Sequence, residues 1–142
     1  MSNVIAGVIR GQYDYLEEHI AQKKVVYERY KKGLKDLPIQ MNPFDEKRCE
    51  PNYWLSALII DKDAMCKQVR SGIEARPIWK PMHMQPMYRM NEFVTVSGSG
   101  RAKTNAYIEG GIEDVGADIF QRGVCLPSDN KMTAEQQDRI IE

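Results

Sequence analysis

The sequence predicts an α+β fold, in which one long N-terminal helix precedes a small sheet packed with helices. Apolar residues recur at helical spacing over residues 3–35, and a near-continuous apolar run follows at residues 53–60. Further short helical and strand-like segments alternate up to the C-terminus. A strand, a helix and a strand in succession, with a compact helix on one side, is how a small α+β layer domain is assembled.

The long helix is predicted over residues 3–35, because its apolar residues follow a 3.6-residue period. The members of this stripe are Ile5, Ile9, Tyr13, Leu16, Ile20, Tyr27, Tyr30 and Leu34. Gly7 and Gly11 lie four residues apart, which weakens the helix but permits another backbone to approach closely. Residues 4–11 are apolar nearly all round, so we expect them to contact a further domain or a second subunit. The stripe over residues 16–34 is expected to face a core.

The middle of the chain predicts a strand, a helix and a second strand. Residues 37–52 form a polar connection with turn signals at two prolines. The apolar run at 53–60 is rich in aromatic and branched side chains, which predicts a buried strand. An aspartate then caps a predicted helix over residues 64–71, and residues 73–76 are predicted to form a short strand.

A second helical segment and a terminal helix are predicted nearer the C-terminus. Residues 112–121 have apolar side chains at helical spacing, and the following glycine ends the helix. Residues 124–126 are predicted to form a strand ended by a proline. Thr133 and Gln136 have the spacing of a capping box, which indicates the start of a terminal helix.

Residues 97–104, with the sequence Ser-Gly-Ser-Gly-Arg-Ala-Lys-Thr, are predicted to form a flexible loop. A Walker-type phosphate loop requires glycines where Ser97 and Ala102 stand. This stretch is therefore not assigned to phosphate binding.

Composition excludes several classes of function. The chain of 142 residues has 20 basic and 20 acidic residues, so no broad basic field is present to attract nucleic acid. The three cysteines are widely spaced, with no Cys-x-x-Cys pair, which argues against a disulfide framework and a zinc site. The sequence has no secretory signal and no apolar run near the roughly 20 residues that span a bilayer. We expect a soluble cytoplasmic protein without membrane contact.

Residues 74–88 are predicted to form a shaped, mostly extended loop. Its prolines, Pro77, Pro81 and Pro86, fix the backbone, remove amide donors and favour extended conformations at the preceding residues. The loop has side chains that suit an anionic, hydroxyl-rich ligand, namely Arg76, Trp79, Lys80, His83 and Tyr88. The alternative interpretation is a packing element, because loops rich in proline, tryptophan and methionine often have that role.

The sequence of residues 72–88, Gly-Ile-Glu-Ala-Arg-Pro-Ile-Trp-Lys-Pro-Met-His-Met-Gln-Pro-Met-Tyr, resembles a signature from the C-terminal part of the DegT/DnrJ/StrS sugar aminotransferases. Other stretches resemble the same family in the same order, at residues 1–12, 122–128, 132–133 and 137–142. The resemblance therefore runs along the whole chain.

The resemblance implies the small C-terminal domain of a fold-type I aminotransferase, a pyridoxal-phosphate enzyme that aminates keto-sugar nucleotides. Residues 1–36 would be the interdomain and interface helix, and residues 37–142 the small α+β domain. The family holds its cofactor as a Schiff base on a lysine upstream of all these stretches. We therefore expect Met1 to be an internal methionine and the chain to be a fragment or split product. Pyridoxal phosphate is expected in the full-length enzyme and not on this chain alone.

The resemblance also implies roles for the loop side chains. Trp79 and Lys80 would project toward the sugar nucleotide, with Lys80 as a point charge on a phosphate and Trp79 as a stacking surface. Arg76 would clamp the carboxylate of glutamate, the expected amino donor, or pair with a nearby acidic residue. His83 would contact ligand or be a packed, hydrogen-bonded histidine. No catalytic, cofactor-binding or metal-binding residue is predicted in this chain.

Three hypotheses of function follow. The chain is the substrate wall of an aminotransferase, with an upstream cofactor domain and, through its N-terminal helix, a second subunit of a dimer as partners. As an isolated chain it is an inactive interaction domain, because the Schiff-base lysine is absent. A regulatory module is the third hypothesis, although no basic recognition helix supports nucleic-acid binding.

Overall fold

The computed structural model describes residues 1–44, 47–60, 72–88, 90–95, 98–103, 107–108 and 114–142. The elements in chain order are α1 (Asn3–Tyr13), α2 (Leu16–Gly33), β1 (Gln40–Met41), β2 (Ala57–Ile59), β3 (Arg76–Pro77), two 3-10 turns (Met82–Met84 and Pro86–Tyr88), β4 (Glu92–Thr95), β5 (Gly98–Lys103), β6 (Tyr107–Ile108), α3 (Val115–Arg122), β7 (Gly123–Cys125) and α4 (Ala134–Ile141). The mixture of helices and small sheets confirms the predicted α+β class.

The chain divides into two compact units. Unit 1 comprises Met1–Ser56 and Leu126–Glu142, and unit 2 comprises Ala57–Cys125. Among the helices that the structure describes, none combines the length and apolar character that a membrane crossing requires.

The prediction of one continuous helix over residues 3–35 is wrong, because a turn separates α1 from α2. The amide of Tyr15 donates to the carbonyl of Gln12 at 3.1 Å, three residues back. Tyr15 itself leaves the helical region, with φ −103° and ψ 3°. Tyrosine and aspartate are weak helix formers, and the break falls within the sequence Tyr-Asp-Tyr.

In unit 1, α2 buries the face that contains Val26, Tyr27 and Tyr30. Tyr30 has no exposed surface, and its hydroxyl donates to the carbonyl of Pro127 at 2.9 Å. Burial raises the pKa of this hydroxyl, so it remains a donor at physiological pH. The tyrosine thereby joins α2 to the segment that precedes α4.

Helix α4 packs against α2 and begins with the predicted capping box. The side chain of Thr133 accepts from the amide of Gln136, whose side chain accepts from the amide of Thr133. The buried Gln137 donates from Nε2 to the carbonyl of Val26 at 2.7 Å. A Cβ added at Gly33 would lie 2.7 Å from Cδ1 of Ile141, so glycine permits the close approach of the two helices.

In unit 2, the buried strand β7 pairs antiparallel with β2 and β3. Its register with β2 is Ala57↔Cys125, Leu58↔Val124 and Ile59↔Gly123, and with β3 it is Arg76↔Cys125 and Pro77↔Val124. The strand predicted at residues 53–60 is limited to β2. At its predicted start, Tyr53 has a left-handed backbone with φ 51°, which is incompatible with an extended conformation at that residue. Strand β7 lies one residue before its predicted position, a normal uncertainty for element ends. The strand predicted at residues 73–76 is wrong for residues 73–75, because β3 begins only at Arg76. The amide of Ala75 donates to the carbonyl of Ile73 at 3.0 Å, so a tight turn replaces the predicted start.

The prediction of a flexible loop at residues 97–104 is wrong for residues 98–103, which form β5. Strand β5 pairs with β4 in the register Glu92↔Arg101 to Thr95↔Gly98, and with β6 at Ala102↔Ile108 and Lys103↔Tyr107. Backbone pairing on both sides holds a strand whose sequence shows no apolar alternation. The helix predicted over residues 64–71 lies outside the described residues.

We predict that Tyr30→Phe lowers the free energy of unfolding by about 1–3 kcal/mol, because the carbonyl of Pro127 loses its buried donor. The matched control is Tyr13→Phe, since Tyr13 is 70% exposed and its change should stay within about 0.5 kcal/mol. Urea unfolding followed by circular dichroism measures both variants. Equal losses in the two variants would contradict the assigned role of the buried hydroxyl.

Candidate functional site

The candidate site is the segment Arg76 to Tyr88, called the proline loop below. It starts at β3, which is held against β7, and continues through the amide of Ile78, which donates to the carbonyl of Gly123 at 3.2 Å. Pro77 has no amide to donate, a property compatible with a position at a strand edge. The start of the loop is therefore fixed to a buried strand.

The second half of the loop is folded into two 3-10 turns, so the prediction of a mostly extended loop is wrong for residues 82–88. The amide of Met84 donates to the carbonyl of Pro81 at 3.0 Å. The carbonyl of Lys80 also accepts from Nε2 of Gln85 at 3.4 Å. The fixed φ of proline is compatible with the start of a helical turn, and Pro81 and Pro86 stand at the two starts.

His83 is packed and hydrogen-bonded. Its Nε2 lies 2.6 Å from Oδ2 of Asp114, and because a carboxylate accepts hydrogen bonds, the ring donates. The imidazole also stacks on Phe93, with ring centroids 4.1 Å apart and an interplanar angle of 28°. Of the two interpretations left open by the sequence, the geometry supports the packed histidine.

Arg76 is exposed and forms an ion pair with Glu74. Its Nη2 and Nε lie 2.6 Å and 3.0 Å from Oε1 of the glutamate. This hydrogen bond raises the pKa of Arg76. The structure thus shows the acidic partner that the sequence allowed, and an exposed pair of this kind is weak enough to open for another carboxylate.

Trp79 and Lys80 connect β3 to the first 3-10 turn. Trp79 is 63% exposed, whereas Lys80 is half-buried. Met82 and Met87 are also exposed, while Met84 is buried beneath them as part of the core of unit 2. The loop thus has an inward side that packs and an outward side with an aromatic ring and two thioethers.

Sequence reasoning missed Asp114 and Phe93, and it allowed an acidic partner for Arg76 without identifying it as Glu74. Asp114 had a usable signal, because aspartate directly before an apolar-periodic segment is a preferred N-cap. In the structure its Oδ1 accepts from the amide of Ala117 at 2.9 Å, and α3 begins at Val115 instead of the predicted 112. Phe93 lies in a stretch without periodicity, and its contact with His83 had no sequence signal.

Residues 1–142 match the model of the DegT/DnrJ/EryC1/StrS aminotransferase family. The chain belongs to this family. Among curated relatives, the aminotransferase EpsN of Bacillus subtilis, named as pyridoxal phosphate-dependent, is 32% identical over 154 residues, covering 100% of this chain and 34% of that protein. The GDP-perosamine synthase of Vibrio cholerae is 28% identical over 95 residues, covering 62% of this chain and 26% of that protein.

Several solved structures share the fold of this chain. The sugar aminotransferase Spr1654 of Streptococcus pneumoniae superposes with a TM-score of 0.75 at 17% identity, covering 99% of this chain and 34% of that one. DesV of S. venezuelae gives a TM-score of 0.72 at 21% identity, covering 96% of this chain and 33% of that one. The chain therefore spans about a third of the length of these relatives.

The described residues of the proline loop do not fit a pyridoxal phosphate site of their own. Such a site requires a lysine for the imine and an aspartate or arginine partner for the pyridinium nitrogen. Lys80 is the lysine of the loop, but Asp114 is already bound to His83 and to the cap of α3, and Arg76 lies in solvent with Glu74. Among the residues that the structure describes, no cluster of three or more histidine, cysteine, aspartate or glutamate side chains could hold a metal ion.

We predict that Gly123→Ala destabilises the chain and detaches the start of the proline loop. A Cβ at this position would lie 2.3 Å from the carbonyl oxygen of Ile119 and 2.4 Å from Cδ1 of Ile78, and overpacking of this kind costs about 1–3 kcal/mol. Gly116→Ala is the matched control, because its nearest neighbours would be 3.4 Å away. Urea unfolding measures the loss, and a loss as large in the control would contradict the steric explanation.

Proposed function

We propose that this chain supplies the C-terminal substrate wall of a pyridoxal phosphate-dependent enzyme, which moves an amino group from glutamate to a keto-sugar nucleotide. The family match along all 142 residues is the observation that supports this proposal most directly. The relatives named as a pyridoxal phosphate-dependent aminotransferase and as GDP-perosamine synthases favour this type of reaction. The domain boundary after residue 36 is part of the same proposal.

The proline loop would bind and orient the substrates. When bound, the cofactor stores the amino group and stabilises negative charge on carbon, while the protein supplies orientation and proton transfer. Lys80 would place an ammonium on a diphosphate oxygen, where a compact charge suffices. The exposed ring of Trp79 would supply a flat surface against the sugar or the base.

Arg76 is assigned to the carboxylate of the amino donor. Its guanidinium is held by Glu74 at the surface, with the two side chains 78% and 75% exposed. Because solvent screens such a pair, an incoming carboxylate can exchange with Glu74 at little cost in free energy. A bidentate bond to the donor would then orient it.

The chain alone is assigned no catalytic step. The family's Schiff-base lysine would come from an upstream cofactor domain, and without that lysine the covalent route is lost. Transamination would then take place where this chain is joined to that cofactor domain, in the cytoplasm.

Helix α1 is proposed as the surface for that assembly. None of its residues is buried, and Val4, Val8 and Ile9 are 77%, 62% and 52% exposed. A contiguous apolar surface of this kind is typical of an interaction site. It would contact the upstream domain or the same helix of a second subunit.

A non-catalytic interaction or regulatory domain of the same fold is the alternative function. The exposed face of α1 favours it equally, because an interaction domain needs no substrate. Nucleotide binding by the proline loop is expected of a substrate wall and not of an interaction domain, so it distinguishes the two functions.

We predict that the purified chain binds at least one of UDP, TDP and GDP, and that Lys80→Gln weakens this binding by about tenfold, as expected for a hydrogen bond to a charged group. Lys32→Gln is the matched control, because Lys32 is an exposed lysine of α2. Isothermal titration calorimetry at two salt concentrations measures the effect, which should shrink at high salt. Trp79→Ala should weaken binding without changing the salt dependence.

A chain that binds none of UDP, TDP and GDP would contradict this assignment, and two further outcomes would overturn it. The first is nucleotide binding that is unchanged in both Lys80→Gln and Trp79→Ala. The second is a stoichiometric adduct at one lysine, such as Lys80 or Lys103, after incubation with pyridoxal phosphate and borohydride trapping. That adduct would make the short chain a cofactor protein in its own right.

We predict that Gly7→Ala stabilises α1 by about 0.5–1 kcal/mol in the isolated chain but weakens self-association. In the chain alone, nothing lies within 4 Å of a Cβ at Gly7, whereas a packed second backbone would be pushed away. Val25→Ala in α2 is the control, because it also raises helix propensity at an exposed position. Sedimentation equilibrium measures association, and an unchanged monomer–dimer equilibrium in Gly7→Ala would rule out this face as the dimer contact.

A further inference from the structure

We propose that His83 is a positioning residue. Its hydrogen bond to Asp114 fixes the first 3-10 turn to the N-terminus of α3, and thereby sets where Trp79 and Lys80 lie. The identity of the ligand rests on the proposed function above, whereas the mechanical role of the contact does not.

The contact between His83 and Asp114 is short and shielded from water. Nε2 of the histidine lies 2.6 Å from Oδ2 of the aspartate, and the side chains are only 19% and 8% exposed. Partial burial makes such a hydrogen bond stronger than its equivalent at the surface, because water competes less for either partner. By contrast, the ion pair of Arg76 with Glu74 is open to solvent.

Asp114 uses its two oxygens for two different elements. Oδ1 accepts from the amide of Ala117 and caps α3, while Oδ2 faces His83. The same carboxylate therefore joins a helix terminus to the proline loop. A serine at this position would cap the helix about as well but is too short to reach the imidazole.

The imidazole has a packing partner besides the aspartate. Phe93 of β4 stacks on the ring, with centroids 4.1 Å apart. The stack on Phe93 and the hydrogen bond to Asp114 together restrict the rotation of the ring.

The position of the His83 ring also fixes the backbone conformation of the residues that precede it. Pro81 restricts its own φ, and its carbonyl accepts from the amide of Met84 at 3.0 Å. The carbonyl of Lys80 accepts from Nε2 of Gln85 at 3.4 Å. Residues 80–85 thus form one hydrogen-bonded turn, and fixing His83 fixes the backbone from which Lys80 projects.

The test uses three single variants of the full chain and the double variant His83→Met/Asp114→Ser. His83→Gln retains a donor at the position of Nε2. His83→Met removes that donor but keeps a side chain of similar size. Asp114→Ser keeps the helix cap but removes the acceptor for His83. The first readout is the indole N–H resonance of Trp79 in a ¹⁵N-labelled chain, assigned with Trp79→Phe. The resonance of Trp54 in unit 1 is the internal control, since these are the two tryptophans of the sequence. The second readout is the Kd for UDP, TDP and GDP.

We expect His83→Met and Asp114→Ser to shift the Trp79 resonance while the Trp54 resonance stays in place. Each should weaken nucleotide binding by about tenfold, the scale of one hydrogen bond to a charged group. The double variant should be no worse than either single one, because both remove the same contact. His83→Gln should stay within about threefold of the parent chain, since it retains the donor.

The outcomes separate this inference from the proposed function. A parent chain that binds none of the three nucleotides contradicts the proposed function, while the Trp79 resonance still tests the positioning contact. An unmoved Trp79 resonance in both His83→Met and Asp114→Ser, or additive losses in the double variant, would overturn the inference. If His83→Met does not fold, the pair His83→Gln and Asp114→Ser decides the result through the same resonance.

Discussion

Unit 2 depends on the backbone pairing of β7. This strand is buried along its whole length, and its amides and carbonyls can be satisfied only by neighbouring strands. Strands β2 and β3 supply those partners, and the carbonyl of Gly123 also accepts from Ile78. The start of the proline loop is therefore determined by the hydrogen-bonding requirement of a strand that comes much later in the chain.

The proline loop illustrates how a short segment can be rigid without regular secondary structure. Its prolines restrict the backbone, its turns satisfy local carbonyls, and hydrogen bonds between side chains join it to neighbouring residues. The two side-chain pairs differ in kind, because the pair of Arg76 with Glu74 lies in solvent and the hydrogen bond of His83 to Asp114 is largely buried. An exposed pair exchanges partners readily, whereas a buried one is broken only at a substantial cost in free energy. This contrast suits Arg76 to a ligand and His83 to the frame of the loop.

Much of the fold was predictable from local sequence signals. The capping box at Thr133, the part of the α2 stripe that is buried at Tyr27 and Tyr30, and the strand at β7 depend on neighbours within a few residues, which periodicity and capping rules capture. The expectation that Leu16 also faces a core is wrong, because its side chain is exposed at the start of α2. The break at Tyr15, the left-handed backbone of Tyr53 and the pairing of β5 were not predictable in this way. The side chains of the candidate site were found from their chemistry and the resemblance. Asp114 and Phe93, which hold one of them, were missed because their contacts join residues distant in sequence.

The difference between local signals and contacts over long sequence distances also explains why membership of the aminotransferase family does not by itself define the site. A family match identifies residues such as Trp79 and Lys80 by their place in a motif, but their position in space depends on contacts that the motif does not contain. The motif fixes the prolines and therefore the turns. The orientation of those turns depends on Asp114, which caps a helix some 30 residues later in the chain.

Because N-cap positions accept serine, threonine, asparagine or aspartate with similar stability, a relative could keep both the motif and the helix and still lose the bond to the histidine. Relatives with the same loop sequence would then differ in how rigidly they present the lysine and tryptophan, and the residue before α3 would tell them apart.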